Sequence, residues 1–331
     1  MIKKNETAIG IALILLEVSL VLIFLTFVPS SVTAYVGVNN VSVITNLTIG
    51  NVYPDIVNVS INEGNPITLI PNSTKLISCV AVLRDYNGES DIVAVNATFY
   101  DPVNSTFGAV DDKNNHYTNS SCQIINDVGV YNTYNTSDEY HAIANCTFEV
   151  EYYANPEDWI CHAIVNDTMS WIGENQNTQT ISPLLALGLP DIIDYGTVNA
   201  TEVSDEQRAN VTNYGNVQVN LTLEGYGSVE DDDLAMVCSL GNIGTISIEH
   251  EKYNLTQANP GQQTLVQFNA NYTNLTSSGV IPVRRFELDY RKDDAVNNAI
   301  KESYWRIYVP LGVAGQCNGT IIFGATTASA S

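Results

Sequence analysis

Asp85, Asn87, Glu89 and Asp91 fall on alternate positions of RDYNGESDI (84–92), around the turn-forming pair Asn87-Gly88. Calcium takes about six to eight hard oxygen ligands, and carboxylates and an amide spaced this way on a tight turn supply that chemistry. These four are the candidate metal ligands, and calcium is the one cofactor the sequence suggests. The run Glu230-Asp231-Asp232-Asp233 is a second acidic loop, although a charge run is more simply a solvated turn. Glu149 and Glu151 are the best carboxylate pair for glycoside chemistry, which needs two facing carboxyl groups. In the alternation Cys146, Phe148, Val150, Tyr152 the apolar set takes the inner face, so both glutamates are expected in water with Thr147. His116, His141, His162 and His250 are scattered. Arg284 and Arg285 would point to opposite faces of a strand, which argues against a shared anion clamp. No HExxH, GxSxG, glycine-rich phosphate loop or EF-hand loop occurs. No catalytic residue is expected.

The elements that must position these residues read as strands. Short alternating runs with turn signals between them dominate: 56–61, 75–83, 92–100, 145–153, 216–225 and 304–313. Helical periodicity is almost absent after the first 34 residues. The fold class is therefore all-β. The seam QTISPLLALGLPDIID (179–194) has two prolines and no cysteine, which puts a boundary near Pro183 and gives domains 35–182 and 183–331. Four cysteines, Cys79, Cys122, Cys146 and Cys161, fall in the first domain. Cys238 and Cys317 fall in the second and are expected to pair.

The chain begins MIKKNET, followed by an apolar run from Ala8 to Val28 and the small residues Val32-Thr33-Ala34. Residues 1–34 read as a secretion signal cut after Ala34 or as a retained membrane anchor; Glu17 inside the run would favour a partner helix in lipid. Either way the remainder is exported, and an even set of six cysteines without a CxxC pair is expected as disulfides. After Ala34 there are 17 Asn-x-Ser/Thr triplets, at Asn40, Asn46, Asn58, Asn72, Asn96, Asn104, Asn119, Asn135, Asn145, Asn166, Asn199, Asn210, Asn220, Asn254, Asn271, Asn274 and Asn318. Chance would give about six, so these are expected glycan acceptors. Their middle residues are often apolar, as at Val59, Ala97, Cys146, Val211 and Leu221. On a strand that puts Asn and Thr toward water and the middle residue toward a core. A net charge of −23 with only 13 Lys+Arg argues against nucleic acid as a partner and against attraction to anionic lipid; the membrane is expected to be met only through the amino-terminal segment.

Two stretches carry a resemblance. KLISCVAVL and DWICHAIV resemble the second and sixth strands of an immunoglobulin-type sandwich, which carry its inter-sheet cysteines with an aromatic two residues before the later one. Trp159 stands where that family has Tyr, and no Trp follows Cys79 closely. The resemblance implies a Cys79–Cys161 bridge. A lengthened interval, about 104–147, then reads as an insertion most simply closed by Cys122–Cys146; the other two pairings of these four cysteines stay open. In the second domain Asp194-Tyr195-Gly196-Thr197-Val198 and Val211-Thr212-Asn213, Gly215-Asn216 resemble the opening motif of extracellular immunoglobulin-like adhesion modules over some 30 residues. YWRIYVPLGVAGQCNGTIIFGAT supplies two strands around Asn318-Gly319, a hairpin-favouring pair. With the block YYANPEDWIC and the Asn-rich composition, it is similar to uncharacterised exported surface proteins of archaea.

The expectation is two tandem immunoglobulin-like β-sandwiches behind an amino-terminal hydrophobic segment. They would act without catalysis as a glycosylated cell-surface or secreted structural or adhesion protein. Its partners would be other cell-surface proteins or glycans, or further copies assembling through the strand-like GTIIFGAT. An exported carbohydrate-binding or glycoside-active sandwich, using Glu149, Glu151, Asp85 or Asp91, is the alternative. A pilin-like fibre subunit is a third reading.

Overall fold

The structure is a computed structural model describing residues 42–126, 139–258, 260–278, 281–283, 286–292, 294 and 299–327. The segment 1–34, the sequons at Asn40 and Asn135, and Arg284-Arg285 lie outside the described residues. Residues 42–49 are exposed and without regular structure, in a unit separate from Gly50–Ser331. No helix among the described residues is long and apolar enough to cross a membrane.

The described residues of Gly50–Ser331 are of the all-β class, with one short helix, Leu265–Asn271, and two main cores. The first is built by β1 (Asp55–Ile61), β2 (Thr74–Arg84), β3 (Ile92–Tyr100), β4 (His116–Asn119), β5 (Gln123–Ile125), β6 (His141–Glu151), β7 (Asp158–Asp167) and β8 (Ile172–Thr180). They form two antiparallel sheets, β1-β2-β6-β5 and β4-β3-β7-β8, whose apolar faces close on one cluster. The alternation of DWICHAIVND explains β7: Trp159, Cys161, Ala163 and Val165 are buried, while Ile160, His162 and Ile164 lie on the half-exposed face. The Trp159 ring packs on Phe99 at 4.9 Å and Tyr117 at 5.9 Å, and its Nε1 donates to Asn155 O at 2.8 Å. Burying a side chain of this kind contributes about 1.5–3 kcal/mol.

The span 104–147 is not an insertion. β4 and β5 edge the two sheets, and β6 pairs with β2 at every position from Thr74↔Glu151 to Arg84↔His141. Cys122–Cys146 therefore staples neighbouring strands of one sheet, whereas Cys79–Cys161 joins β2 to β7 across the core. β8, IGENQNTQT, lacks apolar alternation but pairs with β7 from Asp158↔Thr180 to Asn166↔Ile172. Its other side runs along β1, where Asn175 Nδ2 donates to Ile56 O at 2.8 Å and Asn177 Nδ2 to Val59 O at 2.6 Å. Ile67 and Ile181 add a parallel bridge beyond.

The second half contains β9 (Leu187–Gly188), β10 (Gln207–Asn213), β11 (Val219–Tyr226), β12 (Leu234–Gly241), β13 (Thr245–Ser247), β14 (Glu251–Asn254), β15 (Thr273–Asn274), β16 (Ile281–Pro282), β17 (Ile300–Ile307), β18 (Val313–Asn318) and β19 (Thr320–Thr327). The sheet β15-β14-β17-β10-β9 packs through Ala209, Val211, Tyr253 and Trp305 against Val219, Leu221, Leu223 and Phe323 of β16-β11-β19. β13-β12-β18 is a further three-stranded sheet, packed through Ala235, Cys238 and Ile246 against Ile307. Asn318-Gly319 makes no hairpin. β18 pairs with β12 and β19 with β11, so the chain runs on between them, and a Cβ at Gly319 would lie 1.8 Å from Ala235 O. Cys238 and Cys317 are register partners in β12 and β18, a bridge within one sheet.

Asn216, fully buried, is one of the contacts where the halves meet, beside Tyr290 on Asn155 and Tyr214 on Tyr152. The Asn216 Nδ2 donates to Ala154 O at 3.0 Å and Ser182 O at 3.3 Å, and its Oδ1 accepts from Leu184 N at 2.7 Å. A Cβ at Gly215 would sit 2.0 Å from Leu184 O, so only glycine lets the linker approach. Asn213 Oδ1 accepts from Gly215 N at 2.8 Å and its Nδ2 donates to Val217 O at 2.8 Å, shaping the same turn. The second part of the motif, through Asn213, Gly215 and Asn216, thus contributes to the junction between the cores.

Candidate metal centre

β2 carries Ile77, Cys79, Ala81 and Leu83 on its core side, and Asp85 continues that phase one residue beyond the strand. β7 carries Trp159, Cys161, Ala163 and Val165, and its last residue, Asp167, continues that phase. Both carboxylates are consequently buried, at 0 % and 1 % exposure, at the same end of the sandwich. Half-buried Asp91, in the turn before β3, joins them, and one carboxylate oxygen from each residue lies within 4.8 Å of the others.

The surrounding hydrogen bonds fix these groups. Asp85 Oδ1 accepts from Asn87 N at 2.8 Å; its Oδ2 is buried without a hydrogen-bond partner. Asp91 Oδ1 accepts from Thr168 Oγ1, and Asp91 O accepts from Thr168 N at 2.9 Å. Asp167 Oδ1 accepts from Trp171 N at 2.7 Å and Met169 N at 2.9 Å, and its Oδ2 from Asn51 Nδ2 at 2.8 Å. Burial pushes the Asp85 carboxyl up; the Asn87 N–H opposes this, and the charges on Asp91 and Asp167 add to it. For Asp167 burial also acts upward, but the hydrogen bonds from Asn51, Trp171 and Met169 outweigh it and hold the carboxyl low. Two charges at this spacing repel by roughly 3 kcal/mol at an effective dielectric of about 20. Among the described residues, no lysine, arginine or histidine forms an ion pair with any of the three. The set is all oxygen and net anionic, a donor set for a hard cation.

Two of the four ligands expected from spacing are here, Asp85 and Asp91. Asn87 is otherwise engaged: its Nδ2 donates to Gly50 O and its Oδ1 accepts from Val52 N, both at 2.8 Å, clamping the chain as it enters the sandwich. Glu89 is outside the cluster; its backbone N–H donates to Glu139 O at 2.9 Å. Asp167 was not anticipated. Its signal is present, since Cys79-x5-Asp85 and Cys161-x5-Asp167 place a carboxylate in the core phase equally far from each bridged cysteine.

Other candidate residues have contacts of their own. Asp232 accepts from the backbone N–H groups of Gly227, Ser228, Val229 and Leu234; burial opposes them, yet they hold its carboxyl at about 2. Asp233 accepts from Ser277 Oγ at 3.0 Å, so the acidic run ties its own loop. Glu149 is exposed and Glu151 pairs with Lys113 at 3.3 Å. His116 is buried against Asp111 at 3.0 Å, and His162 meets Glu174 at 3.2 Å. Glu251 is buried under Tyr195, whose hydroxyl donates at 2.8 Å; burial pushes its carboxyl up to about 7 against that hydrogen bond. Arg306 is buried, donating to Tyr272 Oη and Ser204 O at 2.8 and 2.6 Å. A cleft of about 410 Å³ at the junction is lined by neutral amides, including Asn104, Asn115 and Asn155, beside Tyr290. None of the described sequon asparagines is buried, from Asn46, Asn58, Asn72, Asn96 and Asn104 through Asn119, Asn145, Asn166, Asn199 and Asn210 to Asn220, Asn254, Asn271, Asn274 and Asn318.

No protein-family model matches the chain, and no curated protein sequence matches it. Among solved structures it is similar to the C-terminal domain of the Streptococcus pyogenes antigen I/II-family protein AspA, at 12% identity and a TM-score of 0.24, covering 83% of this chain and 96% of that one. Native E. coli alpha-2-macroglobulin overlays at 10% identity and a TM-score of 0.25, covering 82% of this chain and 16% of that one. Salmonella alpha-2-macroglobulin reacted with methylamine gives 10% identity and a TM-score of 0.24, covering 80% and 16%. The chain thus spans a small part of the macroglobulins. Overlays at these TM-scores carry no weight for function.

Proposed function

We propose that this chain is a non-enzymatic structural or adhesive component of the cell exterior, made of two immunoglobulin-like sandwiches that hold a fixed spacing and present glycan-covered faces. The oxidised state of all six cysteines supports the compartment, because disulfides persist outside the reducing cytosol. The sheet orders β1-β2-β6-β5 and β4-β3-β7-β8 support the family reading. They follow the ABED and CFG order of immunoglobulin sandwiches, with β4 as an added edge.

The observation that carries the proposal is Asn145-Cys146-Thr147. Cys146 is fully buried and bridged, while Thr147 on the other face is exposed and Asn145 half-exposed. One strand phase accommodates the sequon and the staple together, a pattern that fits an oxidising, glycosylating compartment. The amino-terminal segment would deliver the chain there, and other surface proteins, glycans or further copies would be its partners.

Peptide mapping by mass spectrometry of protein isolated from its native cells tests this. Bridges 79–161, 122–146 and 238–317, with glycan mass on the exposed sequons and none on buried asparagines, are the expected result. Recovery from the cytosol with free thiols and unmodified sequons overturns it.

A further inference from the structure

We propose that Asp85, Asp91 and Asp167 bind one calcium ion, which locks together the β2–β3 turn, the β7–β8 turn and the chain where it enters the first sandwich. The proposal stands apart from the surface role above, since a cytosolic protein could use the same site. It rests on two independent observations. Three carboxylates converge from parts of the chain that only the fold brings together, and a buried carboxylate oxygen, Asp85 Oδ2, has no hydrogen-bond partner beside them. A buried acceptor without a donor costs about 1–3 kcal/mol and more when charged, so a core that ends in such a group is built for something that supplies positive charge.

Calcium fits this donor set. With neither histidine nor cysteine in it, the set does not favour zinc or copper. Calcium accepts irregular oxygen shells completed by water at about 2.3–2.6 Å, whereas magnesium demands near-octahedral geometry and sheds water reluctantly. The groups behind the ligands are those that commonly orient a metal shell: Thr168 on Asp91, and Asn51, Met169 and Trp171 on Asp167. Through Asn51, and through Asn87 on Gly50 and Val52, the same cluster grips the incoming chain.

The full chain, freed of metal with a chelator, is titrated with terbium, whose emission Trp171 would sensitise because its backbone holds Asp167. Saturable one-to-one emission, displaced by calcium and not by equal magnesium, is expected. Asp85→Asn should weaken binding about tenfold or more, and Glu89→Gln should leave it unchanged. Calcium should raise the melting temperature of the parent chain but not of Asp85→Asn, which without calcium should melt no lower than the parent. If Asp85→Asn does not fold, Asp91→Asn, at a half-buried position, carries the same expectation. No saturable site, equal binding by the parent and the folded aspartate variant, or equal displacement by magnesium overturns the proposal.

Discussion

Glu251 sits where a carboxylate is most sensitive to its proton: buried, with the Tyr195 hydroxyl its one side-chain donor among the described residues. Burial raises its value from 4.5 to about 7, so folding favours the protonated form. That contribution is complete below about pH 4.5 and is lost as the pH rises through about 7. Glu251→Gln keeps an acceptor for Tyr195 and removes the titration. Its expected effect is to flatten stability across this window and to raise stability at pH 8 by up to about 3 kcal/mol. Thermal melts of both proteins at pH 5 and pH 8 check it; an unchanged pH dependence rejects it. The candidate metal centre was half legible at this scale. Local spacing found Asp85 and Asp91 because they share a turn. It could not find Asp167, which reaches them only through the fold, and it miscast Asn87, whose partners at Gly50 and Val52 lie upstream.

Among the elements, the two cores are linked by the buried Asn216 together with the Tyr290–Asn155 and Tyr153–Asp294 hydrogen bonds and the Tyr152–Tyr214 ring pair. Asn216→Ala would strand Ala154 O, Ser182 O and Leu184 N at a buried junction. The expected cost is about 1–3 kcal/mol. It should appear as faster hydrogen exchange at Leu184 and around 214–217, with the core of β2, β6 and β7 unaffected; uniform loss of protection would contradict this local role. Alternation made most strands readable, since inner and outer faces differ in KLISCVAVL and DWICHAIV. β8 escaped because what it lays against β1 is amides, Asn175 and Asn177, instead of apolar side chains. β18 and β19 were misjudged as a hairpin because Asn-Gly favours one locally, while β12 and β11 pair with them in succession and keep the chain straight. The supposed insertion failed for the same reason, as β6 finds its partner in distant β2.

For the whole molecule, the bridges determine how far the chain can be drawn out. Cys79 and Cys161 enclose a sequence separation of 82 residues. Under mechanical extension the oxidised protein should keep that loop closed, and full reduction should add roughly 280 Å of contour length from the first half. Single-molecule stretching with and without reductant measures the difference; equal lengths would place the bridges elsewhere. The net charge of −23 keeps copies apart, so any assembly must overcome repulsion through specific contacts, and it should be sensitive to salt. The geometry of the first sandwich has one more effect. Its opening strand, β1, and its closing strand, β8, both run from the acidic end toward the junction with the second half, side by side. Tension transmitted along the chain therefore pulls these two strands in opposite directions parallel to their lengths. Ladder hydrogen bonds run across the strands, so such a pull shears the β1–β2 and β7–β8 ladders, with the Asn175 and Asn177 contacts, as whole rows instead of unzipping them bond by bond.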